Sequence, residues 1–411
     1  MTSELTQLEI TSIAAGGDGV GRTDGMVVFV PRGAPGDVAR VRLARSKRFA
    51  RGEIESIEIA SPHRVMPHCA HYTVNRCGGC QLQHLAYDAQ LRAKGAIIGD
   101  ALRRIGRRTV GDVIVDPSDG QWSYRRKLTL HLRRVGTRWI AGLHPYDDPA
   151  SVFDLADCPI TDERVMVIWR ALRSAFDFLP RERSLRVAVR LLDVGAAVVV
   201  EGGGAWEDSD RFFESVPAIA ELWWKPEHGR MRRLAARATE AQGGASFVQV
   251  NAQVAARLQA HVLDRAHAYA PRRVVDAYAG AGGTTLPLAA GGATVVAIEL
   301  DAEAVARFAD QLHPPSSAVI GRVEDHLASA LPADLVLLNP PRGGVDERVA
   351  SVLQAVASPP AALLYVSCDP ATLARDLARM PRYRLVAVRA YDMFPQTAHV
   401  ETVCELVPEA A

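Results

Sequence analysis

From about residue 246 onward, apolar runs at 273–277, 294–299, 334–338 and 361–366 alternate with stretches of helical character. That rhythm is the mark of a parallel, doubly wound sheet with helices on both faces, and it limits this part of the chain to the α/β class. Residues 1 to about 60 obey a different rule. Short alternating runs such as Met26-Val27-Val28-Phe29-Val30 and Asp37-Val38-Ala39-Arg40-Val41-Arg42-Leu43 are separated by the turn signals Gly16-Gly17-Asp18-Gly19 and Pro31-Arg32-Gly33-Ala34-Pro35-Gly36. They predict a small antiparallel barrel, a scaffold that often holds RNA. Between the two lies a mixed α+β segment, with a helix expected over 85–106 and strand-like runs at 125–132 and 185–200. At 411 residues the chain has room for three such units, with expected boundaries at 1–60, 61–245 and 246–411.

Bulk properties narrow the setting. The first residues lack the basic region and apolar run of a signal peptide, and no apolar run approaches the ~20 residues of a membrane span. A cytoplasmic location away from membranes is expected, where disulfides are disfavoured, so the six cysteines need another role. Net charge is only +1, which gives no global pull toward nucleic acid. Local clusters do: Arg40, Arg42, Arg45, Lys47, Arg48 and Arg51 occur without an acid among them, and Arg103, Arg104, Arg107 and Arg108 follow. Such clusters suit either a phosphate backbone or a solvated face.

In the α/β segment, Val274-Val275-Asp276-Ala277-Tyr278-Ala279-Gly280-Ala281-Gly282-Gly283-Thr284-Thr285 reads as strand, glycine-rich loop and helix start. Glycines there let the backbone approach a ligand closely. The third glycine of a dinucleotide fingerprint falls at Thr285, which weakens a pyrophosphate reading. The next strand ends in Glu299, where a carboxylate accepts hydrogen bonds from both ribose hydroxyls. Asp276, Tyr278, Gly280, Gly282 and Glu299 together fit the S-adenosylmethionine pocket of class I methyltransferases. Asn339-Pro340-Pro341-Arg342 then makes a polar, rigid ledge at a strand's C-terminal end, the kind that holds a flipped base. Glu324 and Asp325 suit either the adenine or the first turn of a helix.

Two further features carry chemistry. Ser367-Cys368-Asp369-Pro370 places a cysteine at a strand-to-helix corner, where backbone N–H groups and the helix dipole favour the thiolate. About thirty residues on, His399-Val400-Glu401 puts a carboxylate inside an apolar strand, so a nucleophile and a separate proton acceptor are both available. Cys69, Cys77-Gly78-Gly79-Cys80 and Cys158 place four thiols in one segment, a pattern for metal or iron–sulfur ligation that zinc would satisfy equally on spacing. Cys404, on an apolar strand, reads as a core thiol.

These motifs, together with Gln83-His84, Ser123-Tyr124-Arg125 and Phe247-Val248-Gln249-Val250-Asn251, resemble the RNA 5-methyluridine methyltransferase family over nearly the whole chain. That family combines a TRAM barrel, an iron–sulfur central domain and an S-adenosylmethionine domain. The resemblance implies that Cys368 adds to C6 of a flipped uridine, that C5 then takes the methyl group, and that Glu401 removes the C5 proton. It places Gln249 and Asn339 at the cofactor and base, and a [4Fe-4S] cluster on Cys69, Cys77, Cys80 and Cys158. It implies RNA as partner, 23S rRNA ahead of the T-loop uridine of tRNA, and a monomer. A non-catalytic RNA-binding factor is the rival from another class. The chain departs from the pattern at Asn339, where the family has Asp, and at Ala279, where a cysteine is common. The seven residues between Cys69 and Cys77 are two more than usual.

Overall fold

The computed structural model describes residues 4–237 and 249–409. Strands Glu4–Ile13, Gly19–Thr23, Met26–Val30, Val38–Arg45 and Ala50–Ile59 close into a five-stranded barrel. Alternation builds it: Ala39, Val41 and Leu43 point inward with Leu8, Ile10, Val28 and Val30, while Arg40 and Arg42 face solvent. The six basic residues between 40 and 51 are all exposed, but not all are idle. Arg42 pairs with Glu55, and Arg45 lies 2.9 Å from Asp24. The barrel is tied to the following segment by the fully buried Asp37. It accepts Arg64 Nη2 at 2.6 Å and the backbone N–H groups of Ala34 and Ser61. Those donors hold its carboxyl below the usual range against the opposing effect of burial.

The second unit is a seven-stranded sheet in the order Arg232–Ala236, Ile219–Lys225, Ala196–Glu201, Ser184–Leu191, Lys127–Val135, Arg138–Leu143 and Phe153–Asp154. Helix Glu163–Arg173 lays Val165, Met166 and Trp169 on it. The strand-like run expected over 185–200 is two antiparallel strands, because Gly195 at φ +72° turns the chain between them.

The third unit is an eight-stranded sheet. Ser317–Ile320, Thr294–Glu299, Arg273–Ala277, Leu335–Leu338 and Ala362–Ser367 run parallel in that spatial order. Glu401–Pro408 enters antiparallel beside Ala362–Ser367, and Tyr383–Tyr391 pairs outside it. The four parallel strands expected from sequence are therefore present as a doubly wound sheet. Two elements from the preceding segment join it. Val115–Asp116 adds an edge strand beside Tyr383–Tyr391, and helix Tyr87–Arg104, expected over 85–106, packs Ile98 and Leu102 against Leu373, Ala374 and Leu377. Among the described residues no helix is long and apolar enough to cross a membrane.

Candidate active site

Strand Ala362–Ser367 is buried along its whole length, so only its C-terminal end meets solvent. There the chain turns into helix Pro370–Ala378, with Pro370 in the first turn and Asp369 as cap, accepting the Thr372 N–H at 2.8 Å. Ser367 Oγ accepts the Asp369 N–H at 3.1 Å and tightens the corner around Cys368. The inserted antiparallel strand supplies the partner. Its register ends on the pair Ser367 and Thr402; Cys368 and Glu401 each follow one residue beyond that pair, close enough for the Glu401 charge to act on the thiol. Two residues 33 positions apart in sequence are thus neighbours at one end of the sheet.

Their electrostatics are coupled. Glu401 is 5% exposed, and burial pushes its carboxyl up to about 7, opposed by Arg342. Cys368 differs from the sequence expectation of a favoured thiolate. Burial first, and the Glu401 charge second, push its thiol up, against Arg342 and its own backbone N–H. The helix end is present, but a dipole effect of ~0.3–1 kcal/mol does not outweigh burial beside a carboxylate.

Two strands away, the glycine loop is fastened from behind. Asp276 is buried and accepts the hydroxyls of Thr284 at 2.7 Å and Thr285 at 2.6 Å, so it anchors the loop to the start of the helix. Gly280 and Gly282 take φ of +56° and +78°, and a Cβ on Gly282 would stand 2.5 Å from Phe308 Cγ. Tyr278 also has positive φ, at +63°, and donates its N–H to the Ile298 carbonyl. Glu299 accepts the Gly280 N–H at 2.9 Å and the Asp301 N–H at 2.8 Å, one on each oxygen, which fixes the carboxylate and leaves lone pairs for further donors. Asn339 is exposed at the end of Leu335–Leu338, midway between this loop and Cys368, with its N–H on the Ala277 carbonyl. Gln249 is half-buried just before helix Ala252–Ala268, which Asn251 caps; Phe247 and Val248 lie outside the described residues. Glu324 and Asp325 are first-turn acids of Val323–Ala330 and pair with Arg348.

The four cysteines line one cavity of about 300 Å³. All are free thiols. Burial pushes Cys77 up to about 11 and raises Cys80 and Cys158, and repulsion among the four adds to each shift. Gly79 donates its N–H to Cys77 Sγ at 3.4 Å. Among the described residues no three His, Cys, Asp or Glu side chains are gathered tightly enough to hold a single metal ion. Arg125, Arg342 and His399 line the same cavity, which links the cysteines to the residue that tunes both Cys368 and Glu401. Sequence reasoning quoted Arg342 and His399 within motifs but gave neither a role.

Residues 320–407 match the family described as tRNA (Uracil-5-)-methyltransferase, and residues 6–54 match the TRAM domain. A 23S rRNA (uracil(1939)-C(5))-methyltransferase RlmD of Azoarcus is 31% identical over 96% of this chain and 98% of its own. An uncharacterized RNA methyltransferase of Thermosynechococcus vestitus is 32% identical over 97% of each chain. The solved structure of the Pyrococcus abyssi tRNA (uracil-54, C5)-methyltransferase with S-adenosyl-L-homocysteine covers 98% of this chain and 99% of its own at a TM-score of 0.72 and 23% identity, a likeness of fold. With a TRAM barrel ahead of a class I domain and full-length relatives above 30% identity, the chain belongs to the S-adenosylmethionine-dependent RNA (uracil-C5) methyltransferase family.

Proposed function

We propose that the protein methylates C5 of a uridine in 23S rRNA through a covalent bond between Cys368 and C6. The antiparallel ladder that ends at Ser367 and Thr402, with Cys368 and Glu401 next beyond it, carries this reading. C5 of uracil is too weak a nucleophile unaided. The Cys368 thiol first loses its proton to solvent; addition of the thiolate to C6 then moves electron density to C5, which takes the methyl group and releases S-adenosylhomocysteine. Glu401 then accepts the C5 proton, and the electrons of that C–H bond re-form C5=C6 as the S–C6 bond breaks and frees Cys368. A carboxyl near 7 suits that acceptor, since about half of it is ionised at neutral pH and it is basic enough to take a proton. In this reading Glu299 receives the ribose hydroxyls, Tyr278, Gly280 and Gly282 let the backbone close on the methyl donor, and Gln249 and Asn339 face donor and base. Asn339 accepts uracil N3–H through its carbonyl and donates its NH₂ to O4. Asp276 serves from behind the loop.

Cys69, Cys77, Cys80 and Cys158 fit a [4Fe-4S] cluster: four soft thiol donors face one cavity, with a glycine N–H aimed at one sulfur. When bound, the cluster would cross-link 69–80 to Cys158 and take no part in methyl transfer. The three units divide the work at 1–60, 61–245 and 246–411, except that helix Tyr87–Arg104 and strand Val115–Asp116 join the last, with the barrel's exposed arginines and Lys47 and the cysteine unit holding RNA.

The 23S target rests on full-length relatives such as the Azoarcus enzyme, and the fold shared with the Pyrococcus tRNA enzyme supplies the second reading, a T-loop uridine. Anaerobically purified protein incubated with labelled S-adenosylmethionine and either unmodified 23S rRNA or tRNA, followed by nucleoside identification, tests both. Label in 5-methyluridine from rRNA, lost in Cys368→Ala, is expected. Label from tRNA alone moves the target, and full activity of Cys368→Ala refutes the covalent route.

A further inference from the structure

The segment that delivers Glu401 to the site is gripped from outside its own sheet. Gln396, five residues earlier, takes φ +71°, a conformation that costs a side-chain-bearing residue energy and persists only when its surroundings impose it. Those surroundings belong to the cysteine-bearing segment. Gln396 donates its N–H to Gln90 Oε1 at 3.0 Å, and its Oε1 accepts Gln90 Nε2 at 2.9 Å, a reciprocal amide pair. Its carbonyl accepts the N–H groups of Gln81 at 3.1 Å and Leu82 at 2.9 Å. Gln81 then reaches past it. Its Oε1 accepts the Ala398 N–H at 3.3 Å, while its Nε2 donates to the Gly78 carbonyl at 2.7 Å. Gln90 and Gln396 are 1% and 3% exposed, so each lost bond strands a buried polar group. Gln81 directly follows Cys80 in the chain.

Among the described residues none of these amides hydrogen-bonds to Cys368, Glu401 or the glycine loop, so they act at a distance from the chemistry. We propose that Gln81 and Gln90 are positioning residues that latch the turn at 396–398, Gln90 through Gln396 and the Gln81 side chain through Ala398, and thereby set Glu401 where it meets the C5 proton. The cysteine loop and the proton-removing step are thus mechanically joined. This rests on the reading that Glu401 takes that proton.

The latch should matter for one step only. RNA carrying 5-fluorouridine separates the steps. Cys368 adds to C6 and C5 takes the methyl group as before, but C5 then bears fluorine where the proton would be. Glu401 has nothing to accept, and the S–C6 bond persists as a covalent complex seen on a denaturing gel. Misplacing a reacting group by ~1 Å costs on the order of 10²-fold. Gln81→Ala and Gln90→Ala in the full-length protein should therefore lower kcat on ordinary RNA by at least about tenfold, with KM and the rate of fluorouridine trapping within about threefold of wild type. Gln396→Gly, which adopts the same φ without strain, should show the same split and guards against loss of folding in the other two. Equal loss of trapping and turnover, or unchanged turnover, overturns the latch. Glu401→Gln is the control: it should trap and not turn over. Turnover by that protein would overturn the assignment of Glu401 itself, and the latch with it.

Discussion

Glu401→Gln should make the protein more stable at alkaline pH while abolishing turnover. In the unfolded chain the Glu401 carboxyl titrates near its ordinary 4.5, and in the folded protein burial holds it at about 7. Between those values the folded state binds the extra proton, so the group favours folding fully below pH 4.5 and loses that contribution as pH rises through 7. The gap corresponds to roughly 3 kcal/mol at 1.36 kcal/mol per pH unit. Between pH 5 and 8.5 about 2.5 kcal/mol of it is lost. Glutamine has the shape of the protonated acid and no charge to bury, so the variant escapes the loss. Its stability relative to wild type should therefore climb by roughly 2.5 kcal/mol over that pH range, or ~5–10 °C in Tm for a unit of this size. Urea denaturation at pH 5, 6, 7 and 8.5, followed by a probe on the catalytic unit, measures it. Parallel pH profiles for the two proteins would show that Glu401 titrates normally, and the argument that burial readies it as a proton acceptor would fail.

The buried pair Lys94–Asp392, at 2.5 Å with both side chains fully buried, gives a second test. Lys94→Met leaves the Asp392 charge without its counter-ion, and should cost ~3–5 kcal/mol in chemical denaturation, with Lys94→Met/Asp392→Leu recovering most of it; additive losses would refute the pairing. Because the Glu401 charge pushes the Cys368 thiol up, Glu401→Gln should speed iodoacetamide alkylation of Cys368 at pH 8, and an unchanged or slower rate contradicts the coupling. Gly282→Ala puts a methyl group against Phe308 at positive φ, so it should weaken S-adenosylhomocysteine binding by calorimetry, whereas Gly111→Ala, with open space around it, should not.

Features of the fold and site that depend on neighbouring residues alone were legible in the chain. The alternation of apolar runs and helices specified the parallel strands, the period of two specified the barrel, and Ser367-Cys368-Asp369-Pro370 specified a capped corner, because each follows from local backbone preference and burial. The glycine loop could be read for the same reason: φ of +56° and +78° at Gly280 and Gly282 is a requirement written into those residues. Glu401 was legible as a buried carboxylate, but its position near Cys368 was not. That position comes from an antiparallel strand inserted beside Ala362–Ser367, and no local signal states which strand a chain returns to. The state of Cys368 was misjudged for a related reason. The helix corner is local, whereas burial and the Glu401 charge are sums over residues distant in sequence, and those sums dominate. The same holds for Gln81 and Gln90, which as residues are unremarked polar side chains and become specific only where the fold sets them against the turn at 396–398. Sequence by itself determined the parts, through short-range sterics and periodicity; tertiary structure alone decided which parts meet, because long-range pairing and low-dielectric burial exist only once the chain is folded.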